Sequence, residues 1–173
     1  IQNEYRQANK DSDFITDFSI FKEDNLPTNS HIFANLKKKL FISDFDETNL
    51  DLQIQSVNND NYLKKYKLDS PLINSETTLQ SGIKLNTEKE NLKFEIDFRI
   101  YEDLNKIESD RYEYVYPNYR LTKNFKISDH VPGKMKFISS GHSKTTKTNV
   151  HEKIMINDIV LNLKEKISKQ EIL

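Results

Sequence analysis

The sequence predicts an all-β chain of antiparallel, up-and-down strands, and three observations carry that expectation. Apolar and polar residues alternate without a break through residues 91–102, and similar two-sided runs recur along the chain with polar punctuation between them. No run approaches the ~20 apolar residues that a membrane-spanning helix requires. Side chains on a strand project to opposite faces with period two. Leu92, Phe94, Ile96, Phe98 and Ile100 therefore share one face, and Lys93, Glu95, Asp97, Arg99 and Tyr101 share the other. Such a strand needs an apolar environment on one side only, either a protein core or lipid.

Composition narrows that choice. Of the 173 residues, 35% are hydrophobic, against about 45–50%, glycine included, in a typical globular domain. Charged residues reach 31%, and mean hydropathy is −0.77. A polar average is compatible with a membrane β-barrel, whose lumen-facing half is polar. A disordered chain is disfavoured by 10 Phe and 8 Tyr set within alternating runs. Net charge of −1 gives no polyanion-binding surface, so no nucleic-acid partner is expected. The absence of cysteine removes disulfides, thiolate nucleophiles and Cys-based metal sites. The chain starts at Ile1 with no signal-peptide pattern, and residues 1–173 read as one internal segment of a barrel domain without an internal boundary.

The elements follow in order. Phe14, Phe18 and Ile20 alternate with Asp17 and Ser19 before the breakers at 23–25 and 27–29. Ile32, Ala34, Leu36 and Leu40 share a face across residues 30–42, with Asn35, Lys37 and Lys39 opposite. Leu50, Leu52 and Ile54 form the next run, which Asn58, Asn59, Asp60 and Asn61 break by competing for backbone hydrogen bonds. Residues 62–74 read as an irregular piece. Leu79, Ile83 and Leu85 resume the alternation, and residues 87–91 read as a tight polar turn into the 91–102 run, the best hairpin in the chain. Residues 111–121 form an aromatic strand with Tyr112, Tyr114 and Tyr116 on one face. Pro117 cannot donate to a ladder and marks a bulge, an edge or an end of pairing. Residues 134–139 and 150–163 complete about eight strands; the last run also fits a helix, and strand is favoured. With 3 glycines, Asn and Asp are expected to carry the turns.

Candidate chemistry is sparse. His31, His130, His142 and His151 are scattered singly, without zinc-motif spacing, and read as surface or loop residues. Asp44, Asp46 and Glu47 form an acidic turn that lacks the glycine and distal Glu of a calcium loop. Gly141, His142 and Ser143 contain no nucleophile elbow. The Lys/Thr run 144–148 is basic, and a mobile loop explains it at least as well as a phosphate-binding patch. No carboxylate pair stands out for acid–base work, so no enzyme activity, cofactor or metal is expected. Tyr112, Tyr114 and Tyr116 suit either a sugar-stacking platform or an interfacial aromatic girdle.

Four local patterns coincide with a known family. Asp60-Asn61-Tyr62-Leu63-Lys64-Lys65-Tyr66, after the 49–57 run, resembles the Asp-x-(Tyr/Phe)-Leu-x-x-Tyr signature of the lipopolysaccharide-assembly outer-membrane protein LptD (organic solvent tolerance) family. Asn3-Glu4-Tyr5-Arg6 is similar to an earlier strand of that family ending in Tyr-Arg. The stretch Asp110, Arg111, Tyr112, Glu113, Tyr114, Val115, Tyr116, Pro117 resembles a later strand ending in an aromatic and then Pro, where members commonly read Leu-Pro. Phe137-Ile138-Ser139-Ser140-Gly141 sits where the family has a Ser/Gly pair. Together they span residues 3–141 in the family's order. The chain departs from the family in lacking its periplasmic domain, its disulfide cysteines and the strands of its lateral gate.

The resemblance implies an arc of a transmembrane outer-membrane β-barrel, located in the cell outer membrane. It implies transport without bond chemistry. Lipopolysaccharide would arrive from periplasmic bridge proteins and enter the outer leaflet, with a lipoprotein plug in the lumen. Polarity then makes Leu92, Phe94, Ile96, Phe98 and Ile100 lipid-facing and Lys93, Glu95, Asp97 and Arg99 lumen-facing, where charges need no buried partner. Two alternatives share the patterning. One is a soluble β-sandwich that binds glycan through Tyr112, Tyr114 and Tyr116; the other is a different outer-membrane porin or receptor barrel.

Overall fold

The computed structural model describes residues 1–126, 133–146 and 150–163. Among them, nine strands follow in chain order: β1 (Gln2–Asn9), β2 (Ser12–Phe21), β3 (Asn29–Leu40), β4 (Glu47–Val57), β5 (Thr78–Lys89), β6 (Leu92–Asp103), β7 (Tyr112–Lys126), β8 (Gly133–Thr146) and β9 (Val150–Leu163). Each pairs antiparallel with its chain neighbour, giving one up-and-down sheet with β1 and β9 as its edges. The sheet does not close on itself, and the described strands form no second sheet to face it.

Strand β1 raises the count from eight to nine. Its sequence, Gln-Asn-Glu-Tyr-Arg-Gln-Ala-Asn, has no apolar alternation, so its pairing with β2 rather than its own pattern makes it a strand. The 62–74 piece contains a one-turn helix, α1 (Tyr62–Tyr66), ended by Lys67 at φ 43°. The polar turn after β5 is shorter than expected: Thr87–Lys89 belong to the strand, and only Glu90 and Asn91 make the hairpin. Among the described residues, Asn25 fits the expected turn chemistry, but Lys67, Glu90 and Glu108 also take positive φ, where a Cβ is unfavourable. Pro117 behaves as its chemistry requires. The β6–β7 and β7–β8 registers both shift around Tyr116 and Pro117, leaving a bulge in β7. Residues 150–163 are strand, and Lys144–Thr146 continue β8 rather than forming a loop; Lys147 and Thr148 lie outside the described residues, as does His130.

Register sorts the side chains into rows that cross the strands. Phe14, Leu36, Leu52, Ile83 and Phe98 are successive partners on five strands. One residue away, on the other face, Lys37, Asp51, Lys84, Asp97 and Asn118 are successive partners on β3–β7. Alternating charge between direct neighbours is the favourable order for such a row. The buried apolar cluster is elsewhere. Phe33, Tyr62, Leu63, Leu79 and Leu104 form it, with Phe21, Tyr66, Leu68 and Leu72 packed around, where the 58–77 connection lies against the polar face of β2 and β3.

Candidate functional site

The largest functional feature is the apolar face. Leu92, Phe94, Ile96, Phe98 and Ile100 stand on one side of β6 as the alternation requires, with Lys93, Glu95, Asp97 and Arg99 opposite. Phe18, Ile20, Ile32, Ile54, Ile83, Phe98 and Ile100, all on the apolar side, are 41–57% exposed. Contiguous exposed apolar surface of this kind marks a lipid or protein contact. Tyr114 pairs with Ile100, so the Tyr112, Tyr114 and Tyr116 ladder belongs to this face too, at the end of the sheet where β6 joins β7. Its rings stack at 6.1 Å, with interplanar angles of 25° and 79°. Gly141 lies on the same side, directly under Tyr119: a Cβ there would meet the Tyr119 ring at 3.1 Å and the Ile154 carbonyl oxygen at 2.4 Å.

The ionic face of β6 is not simply wet. Lys93 pairs with Glu88 at 2.7 Å and Glu95 with Lys84 at 3.6 Å, all well exposed. Asp97, expected to need no partner, is 5% exposed. Arg99 Nε lies 3.0 Å from one of its oxygens, and Asn118 donates to the other at 2.8 Å. Gly82, the register partner of Arg99, leaves room for the guanidinium stem. A buried carboxylate without such donors costs several kcal/mol, on the order of the desolvation penalty for an ion.

A second polar site lies under α1, and sequence reasoning missed it. His31, expected on the surface, is 4% exposed on β3 between Asp17 and Ser19 of β2. Its Nδ1 is 2.7 Å from Ser19 Oγ, its Nε2 is 3.4 Å from Asp17 Oδ1, and Tyr62 OH is 2.5 Å from Ser19 Oγ. With the ring proton on Nε2, Ser19 donates to Nδ1 and the Tyr62 hydroxyl donates to Ser19, while Nε2 and Asp17 Oδ1 face each other without a hydrogen bond. Ser, His and Asp in contact resemble a nucleophilic triad, but Tyr62 seats on the serine and the group is closed to substrate. It is a fastener. The signal for it was Phe33, with Ile15 and Phe21, out of phase on an otherwise polar face.

The resembling motifs meet in space. Arg111, which precedes β7, donates twice to Asp60, at 2.6 and 2.9 Å, and once to Glu102 at 2.7 Å. The guanidinium holds the Asp60 carboxyl below its ordinary pKa, chiefly through these hydrogen bonds, and its own pKa is raised in turn. Tyr112 OH donates to Glu102 at 3.1 Å. Tyr62 and Leu63 are buried, and Tyr66 packs on Phe21 at 4.4 Å between ring centroids. Tyr5 lies 6.3 Å from Phe14, and Arg6 pairs with Glu4 on the exposed edge strand β1. Thus the Asp60–Tyr66 and Asp110–Pro117 patches are joined, while Tyr5, Arg6 and Gly141 stand apart.

An open hollow of about 630 Å³ lies over β6–β8, lined in part by Tyr101, Glu113, Asn118, His142 and Lys144. Within it Lys144 pairs with Glu113 at 2.9 Å, and His142 Nε2 lies 2.8 Å from a Glu152 oxygen. His142 and His151 lie on β8 and β9, with His151 facing Thr145. Among the described residues no cluster of His, Asp or Glu suits a metal ion, and no helix is long and apolar enough to cross a membrane. No family model, no curated protein and no solved structure compared with the chain matches it.

Proposed function

We propose that the chain is a wall segment of an outer-membrane β-barrel, its apolar face on lipid and its ionic face toward the lumen. The observation that carries this reading is an inversion of burial at positions on β2, β3, β5 and β6, alongside a stretch of β6 where Lys93 and Glu95 are exposed and Leu92, Phe94 and Ile96 half-buried. Phe18, Ile32, Ile83 and Phe98 are exposed, whereas Asp17, His31 and Asp97, on the opposite face, are buried. A water-soluble sheet has the reverse arrangement. Strands β2–β6 run 10–12 residues, close to the ~9–11 tilted residues that span a bilayer. The tyrosine ladder at the end of that face suits an interfacial girdle.

On the resemblance to the LptD family, the whole protein inserts lipopolysaccharide into the outer leaflet, working with a lipoprotein plug and periplasmic bridge proteins. The contact between Asp60 and Arg111 supports that reading, because it joins two of the four resembling patches. A single arginine on the lipid face tests the wall assignment. Phe94→Arg or Phe98→Arg should block assembly into the membrane fraction, since arginine at the bilayer midplane costs roughly 2–4 kcal/mol. Lys93→Ala and Glu95→Ala should leave assembly near normal. Equal losses from both sets would sink the assignment.

A further inference from the structure

We propose that residues 58–77 are a strap that folds into the barrel from its outward-facing end and constricts the lumen, with Asp60, Arg111 and Glu102 as its latch. The proposal rests on the barrel reading above. The connection crosses most of the sheet. Gln2 on β1 donates to the Asp69 carbonyl at 3.4 Å, and Gln55 on β4 donates to the Leu72 carbonyl at 2.6 Å. Tyr62 reaches Ser19 on β2, Lys65 lies 3.4 Å from Glu23, Lys64 contacts Asn105, and Asp60 meets Arg111 before β7. A segment that touches β1 at one side and the start of β7 at the other lies as a chord across this end of the sheet, over the polar face of β2 and β3. In a closed wall that chord spans the lumen.

Its end of the sheet is identified by connection length. Among the described residues, the connections at the strap's end, residues 22–28, 58–77 and 104–111, are 7, 20 and 8 residues long, and β8 and β9 are joined at that end across 3 positions. The described connections at the opposite end, 10–11, 41–46 and 90–91, are 2, 6 and 2, and β7 and β8 are joined there across 6 positions. Outer-membrane barrels turn tightly on the periplasmic side and carry their longer loops outside. Unlike the sealed Asp17–His31 site, the latch is partly open to water: Asp60 is 44% exposed in its side chain. Removing it frees the β7 side of the strap and leaves the buried fastener in place.

The experiment uses the full-length protein in its own outer membrane. Arg111→Gln and, independently, Asp60→Asn should raise entry of a polar, membrane-impermeant dye several-fold while the protein still resists unfolding by cold SDS. Asp60→Asn keeps the Arg111–Glu102 pair, so it reads the latch even if Arg111→Gln does not assemble. A Lys64→Cys/Asn105→Cys pair bridged by a short bis-maleimide should return the leaky variants to the parental rate. Single cysteines give the direction: an impermeant maleimide added to intact cells should label Asp24→Cys and spare Lys10→Cys. Folded variants with unchanged dye entry, or labelling of Lys10→Cys alone, overturn the strap while leaving the wall intact. Recovery of the protein in the soluble fraction overturns both.

Discussion

Asp17 and Asp97 are carboxylates on the same face of one sheet, nearly equal in burial, and their neighbours come from different places. Asp97 takes its partners from the sheet itself, Arg99 two residues on and Asn118 across the ladder. Asp17 lies 3.4 Å from His31, diagonally across the ladder, and that site is sealed by Tyr62, 31 positions beyond His31 along the chain. A row of alternating charge is complete when its strands are paired. A row interrupted by Phe33 leaves apolar area that water disfavours, and it recruits a cover from outside the sheet.

The sharpest way to break this contrast is Phe33→Ala. Phe33 is 0% exposed beneath the strap, and losing it should cost about 3–5 kcal/mol in urea unfolding from detergent. The same truncation at Phe98, which faces outward, should cost far less in that medium. Asn118→Ala comes next. It withdraws a donor from the buried Asp97 and should cost about 1–3 kcal/mol without loosening the strap in hydrogen exchange. Tyr62→Phe should cost about 1 kcal/mol and give the reverse signature, with faster exchange in residues 62–66.

The smallest effect is a pH dependence at the latch. Arg111 lowers the Asp60 pKa in the folded protein. The contribution of that pair is therefore full above about pH 4, the ordinary carboxylate value, and is lost as pH falls through the lowered native value. Urea midpoints of the parent and Asp60→Asn should differ at neutral pH and converge in stronger acid. A constant difference across that range would remove the ion pair from the account. Partial exposure of Asp60 keeps the effect modest.

Most strands were legible because a two-residue period survives any neighbour. Leu50, Leu52 and Ile54, or Leu92 through Ile100, declare their strands locally. Pro117 declared a break in the ladder, because it has no N–H to give, and left open whether it was a bulge, an edge or an end of pairing. The failures share a cause. Strand β1 has no apolar face of its own, α1 is one turn long and held by Leu63 in a distant cluster, and His31 is buried by a tyrosine that local pattern does not bring near it. The latch was half visible, since Asp60 and Arg111 both stood out in the resembling motifs, but nothing local says that they touch.

Period-two patterning, a composition short of core residues and the chemistry of proline were enough to establish antiparallel strands with one apolar and one ionic face. These are near-neighbour properties, set by backbone geometry within a few residues. Which carboxylates are buried, where the strap crosses and which end carries the long connections arise from contacts between residues tens of positions apart. Pairing energy and the loss of water around Phe33 decide those contacts only once the sheet exists.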